Sequence, residues 1–420
     1  MNEDTIIESI HARKIFSSYG DPTIEVDVVT VGGFGRASAP SEIGTGKYKA
    51  IAFPNGDVDM AIREVEEVIA PELVGLDANE QQIIDKILRE LDGTNNFSKI
   101  GISVAIATSI AVAKAAANSH GVPLFQHLGG TMACILPIPL GGIASESRYT
   151  KYLSIDIHEI LIIPKNPSSF SEALEVILSI RKKIPDILRK YNLGFVNGHS
   201  DMAARITNLK IKDVLKIINE ICVKANEEFD LDIGIGIDFD AANLWDSKLN
   251  KYIYQHEGFE LTSEEQISFI SSLIEDFNLF YIEDPLYEDD FEGFSKILKE
   301  FPNILVCGNN IYTANTERIS KGVKFKSTNS LIINPNQIGT LTDTWNMISF
   351  AKNHNLKPII SNHLSETLDE SISHISVAAG CPIIKIGTIG GEHMVKLCEL
   401  LRIEEVLGER AKIFSLYEVN

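Results

Sequence analysis

The sequence predicts an α/β protein in two parts: a small α+β unit, then a barrel of alternating strands and helices. Three observations predict it. Short apolar runs, each ending in polar residues, recur from about residue 136 to the C-terminus. Amphipathic helical patterns separate the later runs, as parallel strands buried on both faces require. The first 130 residues read differently, with a few strands followed by a helical layer. The length of 420 residues accommodates a barrel and one smaller domain.

In the first part, residues 6–15 and 23–31 read as strands around the turn chemistry of Tyr19-Gly20-Asp21-Pro22. Gly32-Gly33-Phe34-Gly35 lacks a P-loop lysine and reads as a hairpin turn. Helical patterns follow at 58–69, 80–91 and in an Ala-rich stretch after Gly101. In the second part the runs are 157–164, 233–240, 279–285, 304–309, 330–334, 358–362 and 383–387. Helices are expected at 263–277, 291–300, 340–353, 365–379 and 391–401. About eight such units close a (β/α) barrel. An open doubly wound sheet is the competitor, but its dinucleotide fingerprint is absent.

The balance of 38 basic and 58 acidic residues leaves a net charge of −20, which repels phosphate backbones and anionic lipid. Neither nucleic acid nor membrane is expected as a partner. Residues 101–117 are apolar but short and carry Lys114, so they read as a buried helix. Five scattered cysteines without a CxxC pair and an acidic N-terminus without a basic leader point to a cytoplasmic protein with reduced thiols.

A barrel gathers its functional residues at the C-terminal ends of its strands. There the sequence sets Glu159, Asp238, Asp240, Glu283, Asp284, Asn309, Asn310, Asn334, Asn362, His363 and Lys385. Carboxylates from neighbouring strands can hold a hard cation through oxygen, and a lysine can act as a charge clamp or tuned base. Taken singly, each such residue also serves as a strand-end or helix cap.

Several longer motifs stand in order along the chain: Ala12-Arg13-Lys14-Ile15, Gly20–Val26 (GDPTIEV), Leu91-Asp92-Gly93-Thr94 and Ala111–Ala117 (AVAKAAA). They continue in Ile282-Glu283-Asp284-Pro285, Asn336–Thr342 (NQIGTLT) and Leu400–Glu405 (LLRIEE). Through them the sequence resembles the enolase family over nearly its whole length. The resemblance implies a cap domain over residues 1–132 and a barrel over 136–420 that opens ββαα before its regular βα units. It also implies dehydration of 2-phosphoglycerate to phosphoenolpyruvate by a lysine base, a glutamate acid and two magnesium ions.

The matching positions depart from that pattern. The base position, two residues before the Asn336-Gln337 pair, is Asn334. The acid position falls on Asn197 in Phe195–Ser200, beside His199. Neither carboxamide moves a proton. The magnesium ligands map to Asp238, Glu283 and Asn309, so one of three charges is lost and magnesium affinity falls or vanishes. The serine of the mobile loop is Gly44. The phosphate clamp reads Ser361-Asn362-His363-Leu364, with His363 where the family places arginine. The substrate-loop histidine position falls near Thr150. Glu159 and Lys385 match retained family positions, open equally to a catalytic role or to rim packing.

Three readings follow. The replacements favour a homologue that has lost 2-phosphoglycerate dehydration and acts as a binding or regulatory protein. The second is a metal-dependent enzyme of different or residual enolase-type activity, with Asp238, Asp240 and Glu283 as ligands and His199 or His363 as base. Asp238 and Asp240 share one face if the strand continues. The third is a working enolase with displaced ligands, although no lysine lies within 330–340. The resemblance also implies a dimer, with Tyr19 replacing an arginine of the family's SRGNPT segment, and leaves a hetero-oligomer with a true enolase open.

Overall fold

The computed structural model describes residues 3–41, 50–145, 155–190, 195–196, 204–206 and 209–416, with backbone alone for 185–190, 195–196 and 204–206. The cap opens with a three-stranded antiparallel sheet, Ile7–Phe16, Pro22–Thr30 and Phe34–Ser38. The Gly32–Gly35 segment makes the second hairpin, as its composition predicts, with Thr30 N–H donating to the Gly33 carbonyl at 2.9 Å. The expected helix at 58–69 forms as Val58–Arg63 continued by a π-helix, Glu64–Ile69. Gln81–Asp92 and Ile102–Ser119 complete the helical layer.

The helix Ile102–Ser119 is apolar on all sides because protein surrounds it, with 83% of it buried. It lies directly on the third strand. A Cβ built on Gly35 would stand 2.0 Å from the Ala111 carbonyl oxygen and 2.4 Å from Ala115 N, both backbone atoms. Gly35→Ala is therefore expected to destabilise the cap by more than the about 1–3 kcal/mol of ordinary overpacking. A clear fall in the urea midpoint checks this, and an unchanged midpoint contradicts the close approach.

The barrel strands are Ile138–Ser145, Glu159–Pro164, Ile233–Asp238, Tyr281–Glu283, Leu305–Gly308, Ser330–Ile333, Lys357–Ser361 and Ile383–Ile386. Each pairs with the next, and the last pairs with the first, Ile383 opposite Ile138, so the sheet closes. Its interior is filled by Leu140, Leu161, Ile163, Tyr281, Leu305 and Ile359 among others.

Strand–helix alternation predicts parallel strands throughout, and here the structure differs. Glu159–Pro164 runs antiparallel to both neighbours. Among the described residues no helix lies between it and the first strand. The helices Phe170–Lys190 and Ile211–Phe229 come after it as a pair, giving the ββαα opening that the enolase resemblance implies. A small antiparallel sheet at Trp245–Asp246, Lys251–Tyr254 and Phe259–Leu261 had no clear sequence signal.

Cap and barrel are joined by buried polar contacts. Asp85 accepts from the Ser109 hydroxyl at 2.6 Å and from Thr342 N–H at 2.8 Å. Lys114 pairs with Asp369 at 3.1 Å and Glu370 at 2.9 Å. The Ser18 N–H donates to the Glu366 carbonyl at 2.8 Å. The Lys114 and Ser18 contacts hold the segment after Ser361 against the cap.

Candidate active site

Strand register brings the retained carboxylates together. Asp238 is opposite Glu159 on one side and opposite Glu283 on the other. Three adjacent strands thus set three buried carboxylates at one level of the barrel rim. Because Glu159–Pro164 is antiparallel, its first residue joins the C-terminal ends of its neighbours. Lys385, on the last strand, reaches across the barrel. Its Nζ donates to Asp238 Oδ2 and to Glu283 Oε2, both at 2.6 Å.

Burial works against the Lys385 charge, but Asp238 and Glu283 outweigh it and hold the ammonium well above its usual range. Lys385 is therefore a fixed cation and no proton acceptor. Glu159 behaves differently. Desolvation pushes its carboxyl up to about 7, with the Lys385 charge opposing. Neither of its oxygens has a hydrogen-bond partner among the described residues. An acid pushed up by burial and without a protein partner among the described residues is suited to holding a proton at a bound ligand.

The third magnesium position supplies an amide. Asn309 Nδ2 donates to Glu283 Oε1 at 3.0 Å, and its backbone N–H donates to Asp284 Oδ1 at 3.0 Å. Tyr281, two residues before Glu283 and on the same face, donates its hydroxyl to Glu283 Oε2 at 2.6 Å. That i, i+2 spacing is the signal by which sequence reasoning could have found Tyr281.

The donor set fits one hard cation. Asp238 and Glu283 already converge on a single positively charged atom, the Lys385 nitrogen, which stands in for an ion between them. The Asn309 carbonyl oxygen is a third donor of the right type. Among the described residues no cluster of three histidine, cysteine, aspartate or glutamate ligands assembles.

Asp240 does not join this group, because the condition for a shared face, a strand that continues to it, is not met. The strand ends at Asp238, and Asp240 adopts a left-handed conformation with φ of 43°. Its carboxylate accepts instead from Asn310 Nδ2 at 2.6 Å and from Asn243 Nδ2 at 2.5 Å. The Asp238, Asp240 and Glu283 ligand set is therefore not formed.

Asn334, at the base position, is buried at the end of its strand. Its Oδ1 accepts the Asn336 N–H at 3.0 Å and caps the short helix Pro335–Ile338. At the phosphate position, Asn362 Nδ2 donates to His393 Nδ1 at 3.1 Å, while its Oδ1 has no partner among the described residues. Burial pushes His393 down to about 3, so that imidazole is neutral. Nothing in the sequence spacing signals this pairing. His363 is half-buried, and its backbone N–H donates to Glu366 Oε1 at 2.6 Å. Beside it a cleft of about 270 Å³ is lined, among the described residues, by Asp156, His158, Phe239, Asp240 and Leu364 and others, none of them lysine or arginine. Thr150, Asn197, His199 and Gly44 lie outside the described residues.

Comparison with known proteins identifies both parts of the chain. The enolase N-terminal domain family matches residues 7–128, and the enolase C-terminal TIM barrel domain family matches residues 133–417. A protein named Enolase from Methanosphaera stadtmanae is 42% identical over 405 residues, covering 96% of this chain and 98% of its own length. Enolases of Methanothermobacter thermautotrophicus and Pyrobaculum aerophilum are 40% and 38% identical, each covering 96% of this chain and 97% of their own length. With both domains matched, the barrel closed through a ββαα opening and the rim carboxylates in register, this chain belongs to the enolase family.

Proposed function

We propose that the protein is an enolase-type lyase that interconverts 2-phosphoglycerate and phosphoenolpyruvate at a rate held far below that of its relatives. The observation that carries this reading is the convergence of Glu159, Asp238, Glu283 and Lys385 at one rim. Near-full-length similarity to proteins named Enolase supports the reaction class. This reading departs from the outright loss of dehydration that the replaced residues favour, because the groups that remain still form one site.

Asp238, Glu283 and the Asn309 carbonyl would hold magnesium, which when bound offsets negative charge on the substrate carboxylate. Lys385 orients that carboxylate. Glu159 holds or releases a proton at its own oxygens. Asn362 and His363 line the phosphate end with one amide and one imidazole, a weaker grip than a bidentate guanidinium. Each missing proton-transfer group costs about 10²–10⁴-fold in rate, which sets the expected turnover low without abolishing it.

A coupled assay of the purified chain with millimolar magnesium tests this, beside a Glu283→Ala variant prepared identically. Slow phosphoenolpyruvate formation, proportional to protein and lost in the variant, is expected. A native rate no higher than the variant's overturns the reading. Asn334, fixed as a helix cap, favours a second reading, a non-catalytic binding or regulatory protein. Under it, 2-phosphoglycerate raises the melting temperature but is not turned over. In either role the protein acts as a homodimer.

A further inference from the structure

Far from the rim, the end of the cap carries a pair of imidazoles. His120 follows the C-terminal end of the helix Ile102–Ser119, and His127 lies in the last turn of the short helix Leu124–Gly129. Their ring centres are 5.9 Å apart. Two imidazoles that share one ion through nitrogens at about 2.0–2.1 Å have centres roughly 5–6 Å apart. His120 is exposed and His127 half-buried, so solvent reaches the pair. Hydrogen bonds fix the tautomer of His120. Burial raises the Asp77 carboxyl, but bonds from Thr5 and Asn79 outweigh it and keep Asp77 ionised. An ionised carboxylate only accepts, so the Thr5 hydroxyl, 2.7 Å from Asp77 Oδ1, donates there. With its hydrogen spent, that hydroxyl accepts from Asn79 Nδ2 at 3.1 Å. The Asn79 amide is thereby turned with Oδ1 towards His120 Nε2, at 2.7 Å. A carbonyl oxygen donates nothing, so Nε2 carries the hydrogen and Nδ1 the lone pair of the neutral ring.

We infer that His120 and His127 form a site for one divalent transition ion of the zinc, nickel or copper class, held by two imidazole nitrogens with water completing its shell. Imidazole suits such ions, whereas magnesium prefers oxygen ligands. Asn79 is a positioning residue. By accepting from Nε2 it orients the ring and raises the basicity of Nδ1, the arrangement that commonly backs ligating histidines. The last carbonyls of the 18-residue helix Ile102–Ser119 add negative potential at the same point. The ion joins the end of that helix to Leu124–Gly129, which packs on the barrel. There the Phe125 ring stacks on His374 at 6.2 Å, and the Phe125 backbone N–H donates to His374 Nδ1 at 3.3 Å. A Cβ on Gly129 would stand 2.5 Å from the Ala378 carbonyl oxygen. The site is thus a stabilising clamp beside the cap–barrel junction, and it is independent of the reaction proposed above.

The test is equilibrium dialysis of the full chain against Zn²⁺ with millimolar Mg²⁺ present throughout, joined to thermal melting at the same Zn²⁺ concentrations. The native chain is expected to take up Zn²⁺ and to melt higher as free Zn²⁺ rises past its Kd. His120→Ala and His127→Ala are each expected to weaken Zn²⁺ binding by more than about tenfold and to lose the rise in melting temperature. Asn79→Ala is expected to weaken it by about 10–100-fold, while Asn79→Asp, which keeps an acceptor for Nε2, retains it. His354→Ala removes an exposed histidine after the helix Leu341–Asn353 and should bind Zn²⁺ as the native chain does. One equivalent of Cu²⁺ gives a second readout, since its electron paramagnetic resonance spectrum counts nitrogen ligands. Two are expected in the native chain and one in either histidine variant. Zn²⁺ affinity that is equal in the native chain and both histidine variants overturns the proposal, as does a native Cu²⁺ spectrum that neither variant alters. If His127→Ala fails to fold, His120→Ala decides, because its side chain lies on the surface.

Discussion

Placing lysine at position 334 is expected to raise phosphoenolpyruvate formation by about 10²–10⁴-fold over the native chain, the span usual for gaining one positioned proton-transfer group. Asn334 sits at the C-terminal end of the strand Ser330–Ile333, on the rim that carries Glu283 and Lys385. Its carboxamide has no proton affinity near neutral pH. A lysine there would be desolvated on a rim that also carries the Lys385 charge, and both effects lower its pKa toward the working range. The substitution also removes the cap on Pro335–Ile338, a loss of about 1 kcal/mol that the fold can absorb. Side-by-side coupled assays give the ratio. The rate of Asn334→Lys should climb with pH as the new amine deprotonates. An equal rate in both proteins would mean that the missing base does not limit the reaction.

The second large effect is structural. Lys396 is 1% exposed, and its Nζ lies 3.0 Å from Glu366 Oε2, 3.0 Å from the Thr367 carbonyl and 2.8 Å from the Glu392 carbonyl. Glu366 in turn receives the His363 N–H. Lys396→Met strands the Glu366 charge in the interior and is expected to destabilise the protein by about 3–5 kcal/mol. The double variant Lys396→Met, Glu366→Leu removes both charges and should recover most of that loss. Urea unfolding of the single and double variants measures both. A loss near zero for the single variant would mean that the pair contributes little.

The architecture was largely legible from the sequence, and each exception has a physical cause. Helices such as Ser263–Phe277 and Phe291–Glu300 begin and end where the pattern sets them, since Thr262 and Asp290 supply side-chain caps. The first barrel strand, Ile138–Ser145, was hidden because its Pro, Gly and Ala content reads as loop. The reversal of Glu159–Pro164 was hidden because a strand buried on both faces looks alike in either direction. Within the site, Asp238, Glu283 and Lys385 could be picked out as strand-end charges. Their contact could not, because it depends on barrel closure. Asp240 falls away from Asp238 because the periodicity of two ends with the strand's last residue, and the shared face was conditional on the strand continuing. The His393 contact to Asn362 joins a strand end to a helix 31 positions later, a spacing with no local signature.

The closing pair of strands also bears on how the molecule is made. Ile383–Ile386 completes the barrel by pairing with Ile138–Gly141, so the seam joins the start of the domain to a segment close to its end. Lys385 lies on that seam and meets Asp238 across 147 positions of chain. During synthesis Asp238 and Glu283 emerge well before the lysine that neutralises them. Until it arrives, the half-built sheet has an unpaired edge at each end and two like charges facing inward. Closure of so long a loop is entropically late. The ammonium that completes the charge balance therefore also marks the completion of the fold, and a chain cut short of it would be left open to proteases and to edge-to-edge association.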